Sequence, residues 1–597
     1  MRKSSHWTNG RALAAIALVT AMLPLLTSCG IPTGSGAQAV EPAPTGVGSG
    51  NDRTDEEYQP TDDIAETVRY FLRASAGDSG SRDERLHVFT GDLNLPYSEL
   101  SEGLRLVEID DVDVTQDDDL LSGEAVVTGD VLGTYLLDGQ VRMMSTPGDY
   151  EETFALSRSS LTEPWTITDA PSQVALTYFE FRRNYRAAPL YFLGPGNERL
   201  LVPDLRWIYS NLPEQRDHLT RLEWLLAGPS DWSRQSTRTA IPSGATLQNL
   251  DTDLPGDNVA VELEASASGD WDVETAEFMA AQIAWTLNMT HNAELELSID
   301  GTVRVNSQKA TWDHWNSIPA DGDAGRTSYA VRDDEVWQLD LSRERSHRLS
   351  NVEPWANMDI GGITQVSVGA DGRVAVIGDN GRNLYTGSDT DSFSAVDLDL
   401  SGFEDVAWLS SRTLLVLADG AVVHIELGRD EASMQELPLA TSEELTGLVV
   451  APDGHRIAFV AGDRAFVATL ARDADGNHQI GEPRRIGLNL TGVQNVVWSR
   501  EYSLMVIGES ASSVEWLFEV SIDNAQMETQ SGTSSFPRAN DIASAPADPR
   551  DRLQSRGEPT VVVIGGNLYR VHSQNLEQIN TDQGEPLQGT APFVTMR

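Results

Sequence analysis

The pattern of apolar and polar positions changes character several times along the 597 residues. It opens with an apolar run, Ala12 to Leu26, broken only by Thr20 and Pro24 and preceded by Arg2, Lys3 and Arg11. A cationic start, a short apolar segment and the small residues Thr27 and Ser28 are the pattern of a secretory signal over residues 1–28. Residues 30–57 carry no apolar periodicity and are rich in Gly, Pro, Ser and Thr, so 29–57 read as Cys29 followed by a flexible tether. Folded segments begin at 58. Ile64, Val68, Phe71 and Leu72 recur at helical spacing, behind Asp62 and Asp63, whose charges favour the positive end of a helix. Alternation then replaces the helical period. Leu104 to Val114, Gly123 to Val131, Tyr150 to Leu156 and Pro164 to Ile167 read as strands, making 58–188 an α+β module with a helical start and a meander.

Residues 189–317 form a second α+β pattern. A helix over Glu214 to Leu226 runs into Leu225-Leu226-Ala227-Gly228-Pro229, where Gly relieves the Cβ penalty at the cap and Pro cannot continue the helix. Ala240-Ile241-Pro242-Ser243-Gly244-Ala245 follows, then a strand at Val259 to Leu263 and a helix bearing Phe278, Ile283, Trp285 and Leu287. A strand from Leu295 to Ile299 ends in Asp300-Gly301, a hairpin signal.

Residues 325–597 carry a repeat. Gln365-Val366-Ser367-Val368, Asp405-Val406-Ala407-Trp408, Gly447-Leu448-Val449-Val450, Asn495-Val496-Val497-Trp498 and Asp541-Ile542-Ala543-Ser544 align at spacings of 40, 42, 48 and 46. Short strands at such a period indicate β-propeller blades, with an evenly spaced β-sandwich as the alternative. Strands around 329–341 lack a preceding partner and Phe593-Val594-Thr595 lack a following one. Joining them closes a ring of about six blades. The fold class is therefore multidomain: two α+β modules and an all-β C-terminal propeller.

Composition narrows the function. Charged residues make up 22% and hydrophobic ones 40%, an ordinary globular balance that excludes wholesale disorder and coiled coil. With 91 acidic residues against 43 basic the net charge is −48, which repels phosphate backbones, so no nucleic-acid partner is expected. The single cysteine, Cys29, forbids an internal disulfide or a multi-cysteine metal site. Leu26-Thr27-Ser28-Cys29 resembles the bacterial lipobox, in which the thiol receives diacylglycerol and the signal is cut before the cysteine. Cleavage removes three cations and leaves −51. No later apolar stretch approaches the roughly 20 residues that span a bilayer, so the expected location is the extracytoplasmic face of the cell membrane, held by acyl chains.

Searches for chemistry return little. Gly77-Asp78-Ser79-Gly80 imitates a serine-protease tetrapeptide, but the only upstream histidine, His6, leaves with the signal, and the segment reads as a loop. Neither a phosphate-binding G-x-x-x-x-G-K-[ST] nor H-E-x-x-H occurs, and no two of the ten histidines lie three or four apart. Asp473-Ala474-Asp475-Gly476-Asn477 starts like a calcium loop, yet His478 and Arg484 stand where Gly and Glu are required. The clusters Asp110-Asp111-Asp113 and Asp117-Asp118-Asp119 read as a solvated face, with cation binding as the alternative. Trp408 and Trp498 share a repeat position, which favours packing over sugar stacking. No catalytic residue, metal site or cofactor is assigned; Cys29, as lipid acceptor, is the one functional residue.

Several motifs together carry a resemblance. Trp165-Thr166-Ile167-Thr168-Asp169-Ala170-Pro171 is similar to the last strand of NTF2-like folds. The ordered series in 189–317 resembles the GerMN domain of cell-envelope and spore-germination lipoproteins. Lipobox, tether, α+β module, GerMN module and propeller, in that order, resemble the LpqB family of actinobacterial lipoproteins. This resemblance implies a non-enzymatic accessory that contacts the extracellular domain of a sensor histidine kinase (MtrB-like). Through it the lipoprotein modulates signalling to the regulator (MtrA-like), affecting cell-wall homeostasis and division. The alternative is an envelope lipoprotein that binds peptidoglycan or another glycan, and the third reading is a hydrolase using propeller carboxylates.

Overall fold

A computed structural model describes residues 59–596, apart from 92, 94–102, 197–198, 266–270, 317, 319–325, 341–344, 349–357, 370, 389–391, 430, 473–476, 531–532, 551–559, 573–574 and 582. The chain divides into two units, Met1–Asn51 and Asp52–Arg597, and every described residue belongs to the second. The signal, Cys29, the tether to residue 57 and Asp473 to Gly476 lie outside the described residues.

Helix α1 (Ile64–Ala74) starts where the charge pattern places it, with the Asp63 carboxylate accepting from the Glu66 amide at 2.8 Å. It buries Ile64, Val68, Phe71 and Leu72, the apolar positions of its helical period. Helix α2 (Ser79–Thr90) follows directly. The protease-like tetrapeptide is thus only half a loop: Asp78 is its N-cap residue, and Ser79 and Gly80 belong to the helix.

Strands β1 (Leu104–Gln116), β2 (Ser122–Tyr135), β3 (Val141–Ser157) and β4 (Thr166–Asp169) form the antiparallel meander, and β5 (Ala175–Thr177) adds to its far edge parallel to β1. The β1–β2 register slips between Ile109 and Asp111, and Gly129 sits at the slip. A Cβ there would lie 2.0 Å from the Glu108 carbonyl oxygen, so this bulge requires glycine. Phe71 meets Phe89 and Phe154 edge-on at 6.0 and 5.7 Å, pinning both helices to the sheet.

A short helix α3 (Tyr178–Asn184) leads into β6 (Tyr185–Ala187), β7 (Leu190–Leu193), β8 (Leu201–Asp204) and β9 (Trp207–Tyr209), with β6 pairing β9 and β7 pairing β8. Helix α4 (Glu214–Ala227) ends at Gly228, whose φ of 94° suits glycine. The second sheet runs β10 (Thr246–Asp251), β11 (Val259–Glu264), β12 (Glu294–Ile299), β13 (Thr302–Gln308). Helix α5 (Val273–Thr286) makes the crossover between the parallel strands β11 and β12. Asp300 and Gly301 have φ of 51° and 73°, the two left-handed positions of a tight hairpin between β12 and β13.

From residue 326 onward the described residues hold six sheets of four or five strands, antiparallel except where Arg345 and Ser346 pair in parallel with Asn580 and Thr581. Five begin with the repeat segments read from the sequence: Gln365–Val368, Phe403–Ser410, Leu445–Val450, Leu490–Arg500 and Asp541–Ser544. Each of the first four of these strands neighbours the first strand of the next sheet, and Asp541–Ser544 neighbours Thr590–Met596. The remaining sheet joins the two ends of the region. Arg326–Arg332 pairs with Thr590–Met596, placing Ser328 opposite Val594 and Tyr329 opposite Phe593. Thr590–Met596 neighbours the first strands of both the following and the preceding sheets, so strands near 329 and 593 meet as the unpaired ends predicted.

The cores do not follow the sequence modules one for one. One apolar cluster runs from Val68, Phe71 and Phe154 through Phe181 and Trp207 into Val467, Val493, Trp498 and Val520. The second sheet with α4 and α5 keeps its own cluster around Trp285, Trp312 and Trp315.

Candidate functional site

The joints between modules concentrate the buried polar chemistry. Strand β7 is held in the second module, where the Tyr191 amide donates to Thr286 Oγ1 at 3.0 Å and its carbonyl accepts from Gln282 Nε2 at 3.1 Å. The Tyr191 ring lies 5.3 Å from Trp285, and its hydroxyl donates to Glu501 Oε1 in the C-terminal sheets. Asn316 Nδ2 donates to the other Glu501 oxygen at 3.2 Å. Glu501 is only 4% exposed, and burial pushes its carboxyl up to about 7 although both donors and nearby Arg456 oppose the rise.

A second tie links all three regions. Trp207 Nε1 donates to Asp523 Oδ2 at 2.7 Å, while the Trp207 carbonyl accepts from Tyr135 Oη at 3.0 Å. Tyr178 Oη donates to the Ala525 carbonyl at 3.1 Å. Burial raises the Asp523 carboxyl, and the bonds from Ser521 and Trp207 hold it down in part.

The third joint contains Lys309, one of two lysines in the chain and 1% exposed. Its ammonium lies 3.4 Å from the Trp285 ring centroid and pairs with Asp313, which also meets His291 and, at 3.8 Å, Arg550 of the C-terminal region. Burial lowers the Lys309 pKa; for Asp313, the Lys309 and His291 bonds outweigh burial and lower it.

The first residue of the repeat forms polar ties between successive sheets. Asp405 Oδ2 accepts from the Leu448 amide at 3.0 Å, and Asn495 Nδ2 donates to Asp541 Oδ1 at 2.9 Å. Although both acids keep partial surface, enclosure by the inner strands pushes Asp405 up to about 7 and Asp541 up to about 6, and the negative charge of Asp541 adds to the rise at Asp405.

The other sequence candidates fall on structural duties. Asp111, Asp117 and Asp119 accept from the Val112 amide, Ser122 Oγ and the Leu121 amide at 2.7 to 2.9 Å, a solvated strand end and turn. Trp408 Nε1 donates to the Ser367 carbonyl of the preceding sheet at 3.2 Å, and Trp498 is buried under Arg456. Both tryptophans pack between structural elements. Among the described residues no group of three or more His, Cys, Asp or Glu is arranged to hold a metal ion. Tyr191, Trp207, Glu501 and Asp523 were silent in the sequence, because their partners lie 310 and 316 residues away.

Comparison with known proteins follows the same division. Residues 189–305 match the family described as "Sporulation and spore germination". Residues 340–549 match the "Lipoprotein LpqB beta-propeller domain". The class is thus a lipoprotein that joins a GerMN domain to a β-propeller. A protein named "Lipoprotein LpqB" from Corynebacterium diphtheriae is 24% identical over 379 residues, covering 59% of this chain and 62% of that protein. Its namesake from Mycolicibacterium smegmatis is 22% identical over 513 residues, covering 79% and 82%. The Mycobacterium paratuberculosis protein of that name is 22% identical over 560 residues, covering 84% and 88%. The chain is thus similar, over most of its length, to proteins named LpqB from several actinobacteria. Among solved structures, a chain of a nidogen–laminin complex aligns with 45% of this chain and 98% of its own length at 11% identity and a TM-score of 0.33.

Proposed function

We propose that this chain is a lipid-anchored, non-enzymatic accessory on the extracytoplasmic face of the cell membrane. It contacts the extracellular domain of an MtrB-like sensor kinase and thereby modulates signalling to an MtrA-like regulator. On this reading the six C-terminal sheets are six propeller blades, and the N-terminal module is an NTF2-like spacer. Diacylglycerol on Cys29 anchors the chain and residues 30–57 give it reach.

The observation that carries the proposal is the locking of the three modules into one body. Glu501, Asp523 and Asp313 receive bonds or ion pairs from different modules. Four carboxylates that burial perturbs, Glu501, Asp523, Asp405 and Asp541, all accept protein hydrogen bonds. That is the use expected of structural ties, and it supports a surface-presenting role. Tethering both partners to one membrane raises their effective concentration, so weak contacts suffice. Signalling changes only if contact favours one kinase conformation.

The test is a cross-linking pull-down from native membranes, comparing the wild type with Cys29→Ala. The expected result is recovery of a histidine kinase by the wild type and its loss in the variant. Recovery of wall fragments alone overturns the kinase reading in favour of glycan binding.

A further inference from the structure

A cavity of about 250 Å³ lies where β3 faces the C-terminal sheets, lined by Val141, Arg142, Met143, Arg484, Arg485 and Asp523, among others. Three arginines line one small cavity in a chain with 91 acids and 43 bases. Several buried arginines elsewhere pair with carboxylates, as Arg206, Arg221 and Arg456 do, whereas Arg82 and Arg238 donate to backbone carbonyls. None of the three in the cavity pairs with a carboxylate among the described residues. Arg142 is exposed and its guanidinium makes no hydrogen bond or ion pair there. Arg484 is half-buried, and its guanidinium rests on the Trp232 ring, 4.9 Å from the centroid. Arg485 gives Nη2 to the Leu488 and Leu490 carbonyls at 3.0 and 3.1 Å, while its buried Nε has no partner.

The one carboxylate in the cavity is already occupied. Asp523, 7% exposed, accepts from Ser521 Oγ at 2.7 Å, the Ala525 amide at 3.1 Å and Trp207 Nε1 at 2.7 Å. Neighbouring Asn524 accepts from the Gly487 amide at 2.8 Å and donates to the Arg485 carbonyl at 2.9 Å, fixing the segment that carries Arg484 and Arg485. Desolvation weakens the hold of Arg484 and Arg485 on their protons; the charges of Asp523 and Asp204 oppose this at Arg484 while Arg142 adds to it, and at Arg485 the charge of Arg464 adds to it against Asp463. These carboxylates offset the burial cost only in part, and an anion in the cavity offsets more of it.

We infer that this cavity binds a small phosphate monoester through Arg142, Arg484 and Arg485. A phosphate monoester carries roughly 1.5 to 2 negative charges near neutral pH, matching several cations better than a monocarboxylate does. Guanidinium forks match phosphate oxygens in pairs. The volume lies just below the roughly 300–1,000 Å³ of drug-sized ligand pockets, so the occupant is small. Val141, Met143 and Leu488 supply apolar wall for the substituent on the phosphate. Because the lining comes from β3 on one side and the C-terminal sheets on the other, the ligand ties the two together.

The experiment is calorimetric titration of the full chain in non-ionic detergent at fixed ionic strength. Glycerol 1-phosphate and inorganic phosphate are the probes, and acetate is the charge control. Vesicles of phosphatidylcholine with and without phosphatidic acid form a separate arm that distinguishes a lipid headgroup from a free ester. The expected result is saturable binding of glycerol 1-phosphate or of the phosphatidic acid vesicles, with acetate much weaker. Arg142→Gln and Arg484→Gln each weaken binding roughly tenfold or more, as loss of a hydrogen bond to a charged group implies. Arg142, exposed and without a partner, can be replaced without disturbing the fold, and an unchanged melting temperature checks that. Wild-type affinity in a folded Arg142→Gln chain overturns the proposal, as does absence of binding in both arms. The outcome is read without any protein partner, so it stands apart from the kinase reading.

Discussion

At the scale of single residues, Tyr191 and Glu501 hold the second module to the C-terminal sheets. The Glu501 carboxyl sits at about 7 against an ordinary 4.5. Between those values the folded chain keeps a proton that the unfolded chain has released, so this group's contribution to stability falls as pH rises from about 4.5 to 7. Tyr191→Phe removes a donor that favours the carboxylate, so its cost grows as Glu501 ionises. The expected loss is about 1 kcal/mol at pH 5 and about 2–3 kcal/mol at pH 8, since stranding a buried charge costs more than stranding a neutral group. Thermal unfolding at the two pH values checks this; equal shifts at both contradict the assignment. The sequence announced neither residue. A tyrosine and a glutamate far apart in the chain carry no local periodicity, and only the packing of modules makes them a pair. Cys29, the expected lipid acceptor, rests on a wholly local signal and lies outside the described residues.

At the scale of elements, local pattern reached further. Strand β1 and helices α1, α4 and α5 appear close to where period and capping place them. All five repeat segments become first strands of successive sheets. What escaped notice lacks such a pattern: α2 begins in a tetrapeptide that imitates a loop, and β5 and β6 are three residues each, too short to show alternation. The pairing of the two end strands, Arg326–Arg332 with Thr590–Met596, was readable from two unpaired ends. There the Phe593 ring stacks on Tyr329 at 5.1 Å and is buried. Phe593→Ala is expected to cost about 3–5 kcal/mol by leaving a cavity at the junction. Hydrogen exchange should then accelerate first in 326–340, the segment that pairs with and follows from this strand. Uniform acceleration across all six sheets contradicts a local closing role.

At the scale of the whole molecule, one apolar cluster continues from the N-terminal sheet into the C-terminal sheets. The sequence divided the chain by pattern and could not foresee a shared core, because burial between modules depends on surfaces that no single repeat contains. On the proposed reading the anchored chain presents its surface to a neighbour in the same membrane, and the net charge of −51 left after signal cleavage makes any contact with a basic face weaken with salt. The most direct measurement is equilibrium binding between the purified Cys29→Ala chain and the extracellular domain of the MtrB-like kinase from the same organism. Circular dichroism establishes beforehand that both are folded. Saturable binding is the predicted result. No binding at the highest soluble concentrations of both folded proteins contradicts the account.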